Sequence, residues 1–299
     1  MLSRITINDW RIVKMKKAVG IISLALCAIF VQPAQAADEK VVAIIDTAID
    51  SSKNASIAYE VCFTLKTCPN GTSFQEGKGS ANVSDWKVKG IDHGFNIVQV
   101  VNQVSPQTKI VFIRISDLNV YPTFSAIHND GSSLDRAIDW VSKNALKYGI
   151  DAVSISQSRS NFAAGTCPTN ITFEQSVANL VNQKIPTFAA TGNDGKKNMI
   201  GFPACVKNVI PVASIDPLGK IASFSNYSSA VKIVANGCVT FVGNTCAKTP
   251  DYAGVMRAQS GTSISTPLAV GKLINSWSGG DWNALIDSLP KNGTAVQIK

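Results

Sequence analysis

Histidine is scarce, with two among 299 residues, and no two of the seven cysteines are spaced C-x-x-C, so the usual zinc ligand sets are missing. No D-x-D-x-D-G loop is present, and a calcium site of that kind is left without its ligands. Charge is sparse as well: Asp, Glu, Lys and Arg make up 16% of the chain. No stripe of Lys and Arg interleaved with aromatics runs through it, so the sequence predicts no nucleic-acid partner. The apolar run from Ala18 to Val31 falls short of the ~20 residues that span a bilayer.

What stands around that run gives it a different meaning. Arg11, Lys14, Lys16 and Lys17 precede it and Ala34-Gln35-Ala36 follows, which predicts a secretory signal peptide over residues 1–36, cleaved after Ala36. Leu26 before Cys27 is too large for a lipoprotein processing site. The expected mature chain, 37–299, is therefore exported to the periplasm or the medium and keeps no membrane attachment. Residues 1–36 hold five of the 28 Lys and Arg and one of the 20 acids, leaving a net of four positive charges on the rest. Six cysteines also remain, an even number that implies disulfides in an exported chain. Short separations favour Cys62 with Cys68 and Cys238 with Cys246, which leaves Cys167 with Cys205.

The composition, 45% hydrophobic, suffices for one sizeable core. From Val41 onward, short β-branched runs alternate with helical patterns, which predicts an α/β fold: a doubly wound, mostly parallel sheet with helices on both faces. Strands are expected at Val41 to Ile45, Lys109 to Ile115, Ala152 to Ser156, Pro186 to Thr191 and Val209 to Val212. Helices are expected at Leu134 to Lys147 and Phe173 to Gln183. Asn119 to Ser133, with Pro122 and Gly131, is read as an exposed loop, and His128 within it as a solvent-facing residue. No linker is long enough to divide the chain, so 37–299 is read as one domain.

Ligands of an open parallel sheet sit beyond the carboxyl ends of its strands, and four segments place chemistry there. Asp46 ends the run Val41-Val42-Ala43-Ile44-Ile45; alone, it would be a turn cap. His93, in Gly90-Ile91-Asp92-His93-Gly94, opens an apolar segment able to continue as a helix. Asn193, in Ala189-Ala190-Thr191-Gly192-Asn193-Asp194-Gly195, follows a strand of small residues and carries an amide able to donate into a cleft. Ser263, in Gly261-Thr262-Ser263-Ile264-Ser265-Thr266-Pro267, lies at the mouth of an apolar helix, where unpaired backbone N–H groups favour a developing anion.

Acid, imidazole, amide and hydroxyl in the order Asp, His, Asn, Ser resemble the subtilisin-like serine peptidases, whose chain order is Asp, His, Ser. The likeness extends through Phe202-Pro203-Ala204-Cys205 and Ile221-Ala222-Ser223-Phe224-Ser225-Asn226. It implies a serine endopeptidase acting on polypeptides through an acyl-enzyme, with Asp46, His93 and Ser263 as triad and Asn193 in the oxyanion hole. By the same likeness Ser156, Gln157, Ser158, Ala190, Thr191 and Gly192 are expected to bind substrate. No cofactor is required for that catalysis, and no calcium ligands are carried over, although many relatives bind that ion for stability.

Four places depart from the family's pattern: Ala48 for Gly, Phe95 for Thr after His-Gly, Asn236 for Pro, and Ser156-Gln157-Ser158 for Ser-Leu-Gly. The departures at Ala48 and Phe95 leave open a secreted binding or toxin-like protein that keeps the fold and has reduced or lost proteolysis. Few residues separate Ala36 from Asp46, which leaves no room for the long propeptide of many relatives, so the expectation is unaided folding or a separate chain acting as folding helper or binding subunit. Because His93 acts as the neutral base, activity is expected to rise with pH through about 6.5. An α/β-hydrolase esterase is disfavoured by Ser265 in place of the last Gly of G-x-S-x-G, and by the chain order.

Overall fold

Strands built of consecutive β-branched residues bury both faces and need helices on each side. The computed structural model describes residues 39–120, 125–129, 131–163, 166–168, 170–277, 280–292 and 295–298. The segment Asp38–Lys299 packs as one unit; the expected signal segment 1–36 lies outside the described residues. Ten strands form the main sheet in the spatial order Lys291–Asn292, Ala295–Ile298, Ile233–Asn236, Val209–Ile215, Thr187–Ala190, Ala152–Ile155, Val41–Asp46, Lys109–Arg114, Ile57–Phe63 and Phe74–Glu76. Every neighbouring pair is parallel except the two at the edges, which are antiparallel.

Five α-helices flank it among the described residues: α1 His93–Val104, α2 Gly131–Asn144, α3 Ile171–Asn182, α4 Thr262–Ser276 and α5 Trp282–Ser288. Alternation along the strand Val41–Asp46 shows how the layers divide. Ala43 and Ile45 join one apolar core with Leu134 and Val141 of α2 and Phe173 and Val177 of α3. Val42 and Ile44 join the other with Ile97 of α1, Leu268 of α4 and Trp282 of α5. The five expected strands and two expected helices are all present, with ends shifted by a few residues. Among the described residues no helix is long and apolar enough to cross a membrane.

The expected loop at Asn119 to Ser133 is corrected. Ser116–Val120 and Ser125–Asn129 pair as an antiparallel hairpin and α2 already begins at Gly131. The reason is that backbone pairing between adjacent segments tolerates polar residues, so Asn119, Ser125 and Asn129 did not announce a strand. His128 therefore belongs to a strand, and its side chain lies outside the described residues.

Disulfides join Cys62 to Cys68, Cys167 to Cys205 and Cys238 to Cys246, closing separations of 6, 38 and 8 residues. Loop-closure entropy grows with the enclosed length. Replacing Cys167 and Cys205 together by serine is therefore expected to cost about 4 kcal/mol of unfolding free energy, against about 2 kcal/mol for either short loop. Urea unfolding of the three double variants measures this; equal losses would contradict it.

Candidate active site

The carboxyl ends of the central strands carry the candidate residues, and the contacts between them begin at Asp46. Its carboxylate is fully buried, and Oδ1 accepts from the Thr47 N–H at 2.7 Å and from His93 Nδ1 at 2.7 Å. A carboxylate can only accept, so Nδ1 carries the hydrogen and the Nε2 lone pair is left for the cleft. His93 keeps 30% of its side-chain surface exposed. Burial opposes the charged ring, but the Asp46 charge and hydrogen bond, with the charge of Asp92, outweigh it and raise the pKa above its ordinary 6.5.

His93 is held in place because α1 does not cap itself. Asp92 at its N-cap makes no side-chain capping bond. The cap comes instead from the strand end: Thr47 Oγ1 accepts from Gly94 N at 2.8 Å and donates to Ile91 O at 2.8 Å. Gly94 must lack a side chain, since a Cβ there would lie 2.7 Å from Ala48 O and 2.6 Å from the Phe112 ring. Ala48 is fully buried beside Ile91 and Leu118. Phe95, also buried, meets the edge of Tyr252 with ring centres 5.5 Å apart. Both departures are absorbed by packing.

The start of α4 is built in the same way. Its N-cap, Gly261, has no side chain, and Asn193 Oδ1 accepts from Thr262 N at 2.8 Å and from Thr262 Oγ1 at 3.0 Å. Those two bonds fix the amide, so Asn193 Nδ2 remains as a donor. A Cβ at position 261 would sit 3.0 Å from Ser263 Oγ and 3.2 Å from Asn193 Nδ2, so glycine keeps open the space the two groups share. Pro267 inside α4 has no N–H to give the Ser263 carbonyl. Ser156 Oγ donates to that carbonyl instead, at 2.9 Å.

Thr47, His93, Ser156, Gln157, Asn193 and Ser263 line one cleft of about 580 Å³. Among the described residues Ser263 Oγ makes no hydrogen bond to His93, and the Ser263 N–H has no partner. Ser158, Ala190 and Gly192 continue the wall. Thr191 stands behind it, fully buried with its hydroxyl on Asn226 O. Gln157 turns its amide to Asp46 Oδ1 at 3.1 Å. Farther along, hydrogen bonds from Asn161 and Asn226 hold the Asp194 carboxyl below its usual range.

Three residues escaped the sequence reading: Thr47 and Thr262, which cap or anchor the helix starts, and Asn226, whose Oδ1 receives the N–H groups of Asp194 and Lys196 and so shapes the turn at Asn193. Pro267 was the available signal for Ser156, since a proline four residues after Ser263 leaves a carbonyl in need of an outside donor. Among the described residues no three His, Cys, Asp or Glu come together as metal ligands, and no calcium position is assigned.

Comparison with known proteins agrees with this architecture. Subtilisin BL of Lederbergia lenta is 24% identical over 237 residues, covering 77% of this chain and 73% of that protein. Subtilisin Savinase of the same organism is 24% identical over 233 residues, again covering 77% and 73%. Among solved structures, the nisin leader peptidase NisP from Lactococcus lactis shares the fold with a TM-score of 0.63 at 18% identity, over 87% of this chain and 85% of that one. A protease from Pseudoalteromonas arctica gives a TM-score of 0.64 at 17% identity, over 86% and 85%. The family model of the subtilases matches residues 37–289, so the chain belongs to the subtilase family of serine peptidases.

Proposed function

We propose that the protein is a secreted serine endopeptidase that cleaves polypeptides through an acyl-enzyme on Ser263. The observation that carries this reading is the 2.7 Å bond from His93 Nδ1 to the buried Asp46, in the cleft that also holds Ser263 at the start of α4. A peptide carbonyl entering the cleft brings Ser263 Oγ onto His93 Nε2, a contact that often closes only with substrate. The oxygen attacks the carbonyl carbon as its proton passes to Nε2; the imidazolium then gives that proton to the leaving amine. Water repeats the sequence on the ester and releases the acid. Asn193 Nδ2 and the Ser263 N–H receive the oxyanion of each tetrahedral intermediate. Three disulfides and the features of residues 1–36 support export.

Fluorophosphonate labelling of the purified protein tests the reading. The adduct is expected on Ser263, located by mass spectrometry of the digested protein; a folded sample that takes no label contradicts it.

The ion pair moves the expected pH dependence. The active ring is neutral and its pKa is raised, so kcat/KM is full above the raised value and is lost as pH falls through it, with a midpoint above 6.5. Stability runs the other way: the contribution of the charged pair is fully present below the unfolded value and is lost as pH rises through the folded one. A pH–rate profile flat from about pH 5 to 8 contradicts the assignment of His93 as base.

A further inference from the structure

Asp46 Oδ1 is the meeting point of three donors. Besides Thr47 N and His93 Nδ1, Gln157 Nε2 reaches it at 3.1 Å from the segment just past the strand Ala152–Ile155. The orientation of that amide is dictated by chemistry: its carbonyl oxygen facing a carboxylate would repel, so the NH2 must point inward. Gln157 Nε2 stands 3.5 Å from His93 Nδ1. Both nitrogens aim hydrogens at the same oxygen, so they share an acceptor and do not bond to each other. Among the described residues Asp46 Oδ2 is buried and has no hydrogen-bond partner, which concentrates on Oδ1 the donors that replace water for this charge.

We propose that Gln157 is a positioning residue of the triad: its amide takes up part of the Asp46 charge that otherwise holds a proton on His93, and it fixes the carboxylate against the ring. The proposal rests on the peptidase reading given above. Two anions face His93, Asp46 from the strand end and Asp92 from the turn before α1; Arg257, ion-paired with Asp251 at 2.6 Å, also lies within reach of the Asp92 charge. Thr47 and Gln157 are neutral donors. Gln157 presents the positive end of an amide dipole beside Nδ1, so it disfavours the imidazolium and keeps more of the base in its neutral form. The usual leucine of the family could not do this, having no donor.

Two variants separate donation from packing. Gln157→Met keeps length without a donor; Gln157→Glu keeps shape and adds a third anion. The full exported chain is used, and His93 is titrated by NMR of the imidazole, with His128→Asn to assign the resonance, alongside the pH profile of kcat/KM. The His93 midpoint is expected to rise by about 0.5 to 1 pH unit in Gln157→Met and further in Gln157→Glu. In Gln157→Met, kcat on the plateau is expected to fall about 10-fold with KM nearly unchanged. A midpoint unmoved in Gln157→Met overturns the proposal, as does a raised KM with kcat kept, which would put the amide on substrate. A wild-type protein without turnover would end the peptidase reading, while the NMR midpoints still decide the role of Gln157.

Discussion

Ser263→Ala is expected to reduce peptide hydrolysis by about 10⁶-fold, the scale of loss that follows removal of the nucleophilic serine in subtilisin. In the proposed mechanism the hydroxyl oxygen is the atom that forms the acyl bond and no neighbour replaces it, which is why the expected loss is so large. The fold should be untouched. Among the described residues the Ser263 side chain makes no hydrogen bond; only its carbonyl is used, receiving Ser156 Oγ at 2.9 Å, and alanine keeps that carbonyl. The Asp46–His93 bond is also retained. Steady-state hydrolysis of a peptide library, together with thermal unfolding of both proteins, checks the two halves. Wild-type turnover in the variant would mean that another group does the chemistry.

Asn193 gives the second large effect, and its two ends can be tested apart. Oδ1 caps α4 through Thr262, whereas Nδ2 makes no hydrogen bond among the described residues and is left to donate. Asn193→Asp keeps an oxygen for Thr262 and sets another where the oxyanion forms. A fall in kcat of about 10² to 10³-fold or more is expected with KM little changed, a range that belongs to the matching donor in subtilisin. Asn193→Ala should lose as much in kcat and also about 1 kcal/mol of stability, because the Thr262 N–H loses its cap. Kinetics and urea unfolding on the same preparations measure both. An Asn193→Asp variant with full kcat would remove the residue from the oxyanion hole.

The strands and the order of the chemical groups were legible because each is local. Val41 to Ile45 and Lys109 to Ile115 read as buried strands from their own side chains, and the residues around Asp46, His93, Asn193 and Ser263 carry their context with them. The hairpin flanking Pro122 was not legible, since its stability lies in backbone pairing of polar stretches. Nor were the bonds that assemble the site. Thr47 caps a helix 47 residues away, Asn193 one 69 residues away, and Gln157 reaches across 111. Both helix starts lack caps of their own, and nothing in a local window says which distant oxygen supplies them. Residue type alone puts the ionisation of His93 near 6.5; the full burial of Asp46, its 2.7 Å bond to the ring and the nearby Asp92, which together raise it, are visible only in three dimensions.

The strand Val41–Asp46, first of the main sheet along the chain, lies between Lys109–Arg114 and Ala152–Ile155 in space. A polypeptide emerging amino end first therefore offers an apolar ribbon with one edge unpaired until Lys109–Arg114 has followed and the other until Ala152–Ile155 has. Birth order and assembly order are opposed. Such distant pairings place folding at the slow end for single domains, and the waiting interval is when self-association competes. Shielding of that nascent ribbon is therefore a requirement on synthesis separate from the depth of the folded minimum.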